Sequence, residues 1–256
     1  MKYERLQNMK QLIFRKREIS LLELCEEFSV SIETVRRDVN ILEKEGIVRK
    51  VYGGVALADT NVMPAIMAAW PDRVKIANRE KTRIAQKAAE LIPDGSIIAL
   101  DSGTTMLGVA HELVHRNDLT IITNSLYNVM EITSNAKHLV YCIGGAVKTG
   151  EAITTGFLAA DFLDSFTKID IAVISADGLD LAQGICDFST EMGMLKRRFL
   201  QKSSRAIAVV DYTKFGARAL FSVCGMDQID VLITDAKAPE RILSEIRKQG
   251  VQVIIA

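Results

Sequence analysis

No stretch of this 256-residue chain approaches the run of about 18 to 20 apolar residues that a membrane-spanning helix needs, and its start, MKYERLQNMK, lacks the apolar core of a secretory leader. The expectation is a cytoplasmic protein with no membrane partner. Cysteine is sparse and scattered: Cys25, Cys142, Cys186 and Cys224 form no close pair, so neither a disulfide framework nor a zinc ribbon is implied. Net charge is absent too, with 32 Lys and Arg against 32 Asp and Glu, which removes bulk electrostatic attraction as a guide to partners. What remains is 48% apolar and 25% charged residues, the composition of a chain that buries a real core. The length favours a small domain joined to a larger one.

Charge is unevenly placed along the chain. Residues 1–57 hold eleven Lys and Arg against nine Asp and Glu, leaving 21 against 23 for the rest. That imbalance is too small to assign a partner, so position must decide. From Tyr3 to Arg15, Leu6, Met9, Leu12 and Ile13 recur at helical spacing. The basic link Lys16-Arg17-Glu18 follows, and a second short helix over Leu21–Phe28 turns Leu21, Leu24, Cys25 and Phe28 to one side. Ser29-Val30-Ser31 interrupts the pattern, with Ser31 placed as the cap of a third helix starting at Ile32. Its buried stripe is Ile32, Val35, Val39 and Leu42; Glu33, Thr34, Arg36, Arg37, Asn40 and Lys44 lie outside it, and Gly46 supplies a stop. A short helix, a tight turn and a second helix with hydroxyl and cationic side chains near its start form a helix-turn-helix, whose second helix enters the major groove of double-stranded DNA. Ile47–Tyr52, the Gly53-Gly54 turn and Val55–Leu57 read as a hairpin wing carrying Arg49 and Lys50 toward phosphates. The candidate DNA contacts are Ser31, Glu33, Thr34, Arg36, Arg37, Asn40, Arg49 and Lys50. A helical head that binds protein rather than DNA is the competing reading; cap, stripe, arginines and basic wing together favour DNA.

The segment VSIETVRRDVNILEKEGIVRKVYGGVAL resembles the DNA-binding signature of the DeoR family of bacterial regulators, through Thr34–Asp38, Glu45-Gly46 and Tyr52-Gly53-Gly54. Val39 and Val55 stand where Leu and Ala are commoner. The resemblance implies a transcriptional repressor that binds operator DNA as a homo-oligomer, a dimer or tetramer.

Residues 58–73 contain two of the four prolines and no period, so they read as a linker between a winged helix-turn-helix at 1–57 and a second domain at 74–256. That domain opens with a helix over Val74–Leu91. Short apolar strands then alternate with helices: Ile97–Leu100, Thr120–Thr123, His138–Ile143, Ile169–Ser175, Ala206–Val210, Val231–Thr234 and Val251–Ile255. The rhythm predicts an α/β class with a largely parallel, Rossmann-like sheet. Ligands of such sheets gather beyond the carboxyl ends of the strands. The residues that follow the strands there are Asp101, Ser102, Gly103, Thr104 and Thr105, then Asn124 and Ser125, Gly144 and Gly145, Asp177 and Gly178, and finally Asp211 with Lys214. The first group opens a helix, where free amides, hydroxyls and the positive dipole end suit a phosphate. Each piece alone is an ordinary turn; their repetition along one sheet edge makes a site.

This span also resembles the sensor domain of DeoR-type regulators, whose fold is similar to ribose-5-phosphate isomerase and CoA transferases. The matching residues are Asp101–Thr105, Thr123-Asn124-Ser125, Gly144-Gly145, Ala176-Asp177-Gly178 and Asp211–Gly216. The resemblance implies a phosphorylated sugar or polyol effector, with Lys214 and Glu191 near it. Tyr212 departs from the small or histidine residue usual at its place. No cofactor and no enzymatic activity are expected. An isomerase acting on a phosphosugar through Ser175–Asp180 and Lys214 is the alternative, for which no complete acid and base pair can be assigned. His111-Glu112-Leu113-Val114-His115 matches a zinc-protease pattern, but helical phase turns both histidines away from the inward stripe of Met106, Val109, Ala110 and Leu113, so no metal is expected.

Overall fold

The apolar stripes of the first segment close on one another. The computed structural model describes every residue except 1–4, 7, 10, 11, 14, 15, 17, 45–47, 58–69, 135, 136, 149 and 218. It divides into two compact units, Met1–Arg73 and Val74–Ala256. In the first unit the described residues between 5 and 16 are helical. Then come β1 (Glu18–Ser20), α1 (Leu21–Phe28), α2 (Ile32–Lys44), β2 (Val48–Val51) and β3 (Gly54–Leu57). Ser20 and Glu23 cap α1 reciprocally: Ser20 Oγ accepts the Glu23 amide and the Glu23 carboxylate accepts the Ser20 amide, both at 3.1 Å. Ser29 ends α1 in the left-handed conformation, at φ 50°. Leu6, Met9, Ile13, Leu24, Val35, Val39, Leu42, Val48 and Val55 share one core.

The Lys16–Glu18 link does not remain a link. It runs into β1, which pairs antiparallel with β3 to give a three-stranded sheet in the order β1-β3-β2. Ile19 is the only residue of β1 that is buried, and one inward side chain in three gives periodicity nothing to register. The Gly46 stop and residues 58–69 of the expected linker lie outside the described residues.

In the second unit the expected helix over Val74–Leu91 is two pieces, Trp70–Lys75 and α3 (Asn78–Glu90). The break falls at Ala77, at φ 51°, a residue whose helix propensity gives no warning of it. Seven strands form one parallel sheet: β4 (Ile97–Leu100), β5 (Thr120–Thr123), β6 (Leu139–Cys142), β9 (Ile169–Ser175), β12 (Ser203–Val209), β14 (Val231–Thr234) and β15 (Gln252–Ile255). Their order is β15-β14-β12-β9-β4-β5-β6. Four of these strands have the bounds that the sequence predicts, because a strand covered on both faces is a nearly continuous apolar run. Ile98 and Leu100 face one core cluster and Ala99 another; Ile171 and Val173 alternate with Ala172 in the same way. The helices α4 (Thr104–Leu113), α5 (Leu126–Ile132), α6 (Phe157–Asp164), α7 (Thr190–Lys202) and α8 (Glu240–Lys248) follow strands or hairpins.

Two smaller sheets have no counterpart in the sequence reading. One is the hairpin β7 (Ala146–Lys148) with β8 (Ile153–Thr155); the other joins β10 (Gly178–Asp180), β11 (Gly184–Asp187) and β13 (Phe221–Cys224). At three or four residues each, with glycine and aspartate in β10 and β11, these strands offer too few positions for a period to emerge.

Candidate functional site

On α2 two stripes of equal spacing lie back to back. Val35, Asp38, Val39 and Leu42 are buried, and Glu33, Arg36, Arg37 and Asn40 are exposed. Ser31 is exposed at the helix start, where its Oγ accepts the Thr34 amide at 3.4 Å, and Thr34 is half-buried beside it. Arg49 and Lys50 are exposed on β2, with Lys50 bonded to Glu43 of α2, and the fully exposed Tyr52 stands at the turn between β2 and β3. Asp38 faces inward: its carboxylate takes the Arg5 guanidinium at 2.8 Å and fixes α2 against the first helical segment. The exposed face therefore presents two guanidinium groups and an amide from a braced helix, an arrangement that can engage phosphates and base edges.

In the second unit the loop after β4 is set by Gly103, whose φ of 125° an L side chain rarely adopts. No side chain caps α4, so its first amides stay available to an anion, with Thr104 half-buried and Thr105 buried beside them. Lys81, buried on α3, donates to Thr104 Oγ1 at 3.0 Å and brings a cation to this helix start.

The neighbouring strand ends meet this loop. Asn128 of α5 donates to the Asp101 carbonyl at 2.8 Å and to Thr123 Oγ1 at 3.2 Å, while its amide proton is taken by Ser125 Oγ, the cap of α5. Asn124 is fully buried and donates to the Thr154 carbonyl at 3.0 Å. The side-chain oxygens of Asn124 and Asn128 and Asp101 Oδ1 are buried acceptors without a hydrogen-bond partner. Other expected residues lie farther out. Gly144 and Gly145 follow β6 and Lys214 follows β12, each two strands from β4, about 10 Å at ordinary strand spacing. Gly178 lies inside β10 rather than at a loop mouth. It is buried because a Cβ there would stand 2.3 Å from the Ala217 carbonyl oxygen, so close backbone packing accounts for it. Asp211 is committed as well, accepting the Thr213 amide at 3.0 Å. Glu191 is exposed on the first turn of α7.

Behind the loop lies a charged cluster that the strand-end argument does not reach. Lys196 of α7 is buried; it donates to the Ser175 carbonyl at 2.9 Å and forms ion pairs with Asp187 Oδ2 at 2.8 Å and Asp101 Oδ2 at 3.2 Å. Asp101 Oδ2 also accepts the Ser175 amide at 2.9 Å and hydroxyl at 2.7 Å. Burial alone would lower the Lys196 pKa, but Asp101, Asp187 and Asp177 outweigh it and hold the ammonium more firmly protonated than usual. One cation cannot serve three carboxylates equally. Burial, with Asp177 adding repulsion, lifts Asp187 to about 6 despite Lys196. Phase could have found both buried lysines: Lys81, Ile84, Ala85 and Ala88 form an inward stripe, and so do Met192, Leu195, Lys196 and Phe199.

His111 on α4 and His115 in the turn after it are exposed; His111 pairs with Glu131 at 2.6 Å, and His138 is held between the Leu113 carbonyl and the Leu119 amide. Among the described residues no three His, Cys, Asp or Glu side chains are placed to hold a metal ion. A hollow of about 480 Å³ lined by Gln183, Ser222, Gly225 and Asp227 shares no residue with the strand-end loops.

Comparison with known proteins bears on both units. The DeoR-like helix-turn-helix domain matches residues 5–61, and the DeoR C terminal sensor domain matches residues 76–236. The chain is 30% identical over 243 residues to the glycerol-3-phosphate regulon repressor of Escherichia coli (strain K12), covering 95% of this chain and 94% of that protein. It is 32% identical over 254 residues to the HTH-type transcriptional regulator GolR of Listeria innocua, covering 99% and 98%. To the transcriptional repressor AccR of Agrobacterium fabrum it is 33% identical over 237 residues, covering 89% and 88%. Among solved structures, ribose 5 phosphate isomerase A from Neisseria gonorrhoeae overlaps 54% of this chain and 53% of its own, at TM-score 0.41 and 14% identity, a partial overlap that says nothing about function.

Proposed function

Since the chain belongs to the DeoR family, with both the helix-turn-helix and the sensor domain present, we propose that it is a transcriptional repressor of a sugar or polyol catabolism operon. Operator DNA is held by the exposed face of α2 and by the wing, in a homo-oligomer whose paired heads meet half-sites about one helical turn apart. A phosphorylated sugar or polyol occupies the strand-end site, its phosphate on the loop Asp101–Thr105 and its hydroxyls toward Asn124. One relative is named for the regulon of glycerol 3-phosphate, a polyol phosphate, which supports that ligand class. The observation that carries the reading is the union in one chain of an exposed cationic helix face and an uncapped helix start beside a buried cation.

Ligand binding without turnover fits the charged groups best. Asp101 and Asp187 are tied to Lys196, Asp211 to the Thr213 amide, and Asp235 to the amides of Tyr212 and Lys237, which engages these four carboxylates in structural contacts rather than in proton transfer. A chain with no helix able to cross a membrane among its described residues is consistent with work at cytoplasmic DNA. Titration of DNA from upstream of candidate operons tests the assignment. Arg37→Ala should weaken operator binding by about 1–3 kcal/mol and leave effector binding intact. Lys214→Ala should weaken the effector response and leave operator affinity unchanged. Equal operator binding by wild type and Arg37→Ala at every salt concentration would remove α2 from the interface.

A further inference from the structure

We propose that Lys196 is a positioning residue for the effector site: from its buried place on α7 it holds Asp101 and Ser175, and through them the loop that receives the effector's anionic end. The inference rests on reading Asp101–Thr105 as that anion cradle, and it adds a residue that lies at no strand end.

The connections are continuous. The buried Lys196 ammonium donates to the Ser175 carbonyl and stands between two carboxylates, 2.8 Å from Asp187 Oδ2 and 3.2 Å from Asp101 Oδ2, so charge and a hydrogen bond hold it at this junction. Ser175, held by its carbonyl, turns its hydroxyl to within 2.7 Å of Asp101 Oδ2 and 3.1 Å of the Ser102 carbonyl. The same oxygen faces the open side of Gly103, where a Cβ would come within 3.4 Å. Two successive residues before the start of α4, Asp101 and Ser102, therefore rest on one serine, and that serine's carbonyl is held by Lys196. At the far side Asp187 accepts the Ser189 amide at 2.8 Å, next to the cap of α7, so the helix that carries Lys196 is anchored to the network as well.

Charge gives the arrangement a second purpose. An anion arriving at the first amides of α4 comes close to the Asp101 carboxylate, which repels it. Lys196 offsets the charge of that carboxylate without standing in the ligand's path, while the same carboxylate oxygen accepts from both the amide and the hydroxyl of Ser175. Lys81 meets Thr104 at the helix start directly; Lys196 acts one layer behind, through Asp101 and Ser175.

Thermal unfolding of the full chain over a series of inorganic phosphate concentrations, at constant ionic strength, tests this. Wild type should be stabilised progressively, and Lys196→Met should require roughly tenfold or more phosphate for the same shift, as loss of a group that orients direct ligand contacts does. Ser175→Ala, a milder change, should move the same way by a smaller factor. Ile246→Val, a core change on α8 that lowers stability away from the loop, should leave the phosphate dependence unchanged, which separates positioning from stability alone. If Lys196→Met fails to fold, Ser175→Ala decides: weakened phosphate binding supports the role and wild-type binding overturns it. Wild-type phosphate dependence in both variants would overturn the role of Lys196 while leaving the cradle in place. No phosphate dependence in wild type would overturn the cradle, and the role of Lys196 with it.

Discussion

On α2 the residues at 33, 36, 37 and 40 form an exposed stripe opposite a buried one, whereas on α3 and α7 the lysines at 81 and 196 lie within the buried stripe itself. The helix α2 turns its arginines outward, whereas α3 and α7 each enclose a lysine. An exposed arginine costs folding little and serves whatever duplex geometry meets it. A buried lysine is tolerable only when fixed acceptors surround it, so it is bound to one geometry from the moment the chain folds. If the proposed sites hold, recognition of DNA and recognition of a metabolite are built at opposite energetic extremes. Asp38 qualifies the contrast: within the head itself, this inward-facing charge of α2 is also paired, with Arg5.

The difference can be broken by measurement, most forcefully at Lys196. Lys196→Met leaves Asp101, Asp177 and Asp187 without their common cation and should cost about 3–5 kcal/mol in urea unfolding. Arg37→Ala, which empties an exposed position, should change unfolding stability by no more than about 0.5 kcal/mol while it weakens operator binding. Equal losses in the two variants would erase the contrast.

A smaller effect concerns protons. Asp187, with a pKa of about 6 in the folded chain against an ordinary 3.8, binds a proton on folding between those values. Its contribution to stability is full at low pH and is lost as pH rises through about 6. Asp187→Asn should therefore gain stability relative to wild type between about pH 4 and 6, with a constant difference above. A difference that runs the other way would mean that Lys196 serves Asp187 in preference to Asp101. The smallest effect is expected at His111, where the bond to Glu131 raises the imidazole pKa above 6.5. The pair's contribution is present below that value and fades as pH rises through the raised one. Both groups are largely solvated, so His111→Ala should lose only about 0–1 kcal/mol, and only on the acid side.

How far the sequence could be read follows the same division. Outward charges and apolar strands declare themselves: α1, the start of α2 and four sheet strands fall where cap, phase and apolar runs put them. The β1 strand and the small sheets escape because one or two inward residues make no period. The loop proposed to hold the anion stands out in the sequence by its glycine, its hydroxyls and its position after β4. Lys81 and Lys196 do not, since a lysine in a helix invites a solvent reading; Lys196 is followed at once by Arg197 and Arg198, which are exposed. Their place on an apolar stripe was the signal available. Gly178 went astray for the converse reason, because a glycine after a strand suggests a ligand loop, yet here it admits the Ala217 carbonyl.

The account depends most on the coupling between the two units, which one titration reaches directly. Labelled operator DNA is titrated with the purified full chain at fixed salt, alone and with each of a panel of phosphorylated sugars and polyols and their unphosphorylated parents. At least one phosphorylated compound should change operator affinity by about 5- to 150-fold, a coupling of about 1–3 kcal/mol, while its parent does nothing. Absence of any preferred DNA sequence, or an affinity indifferent to every phosphorylated compound, would contradict the account.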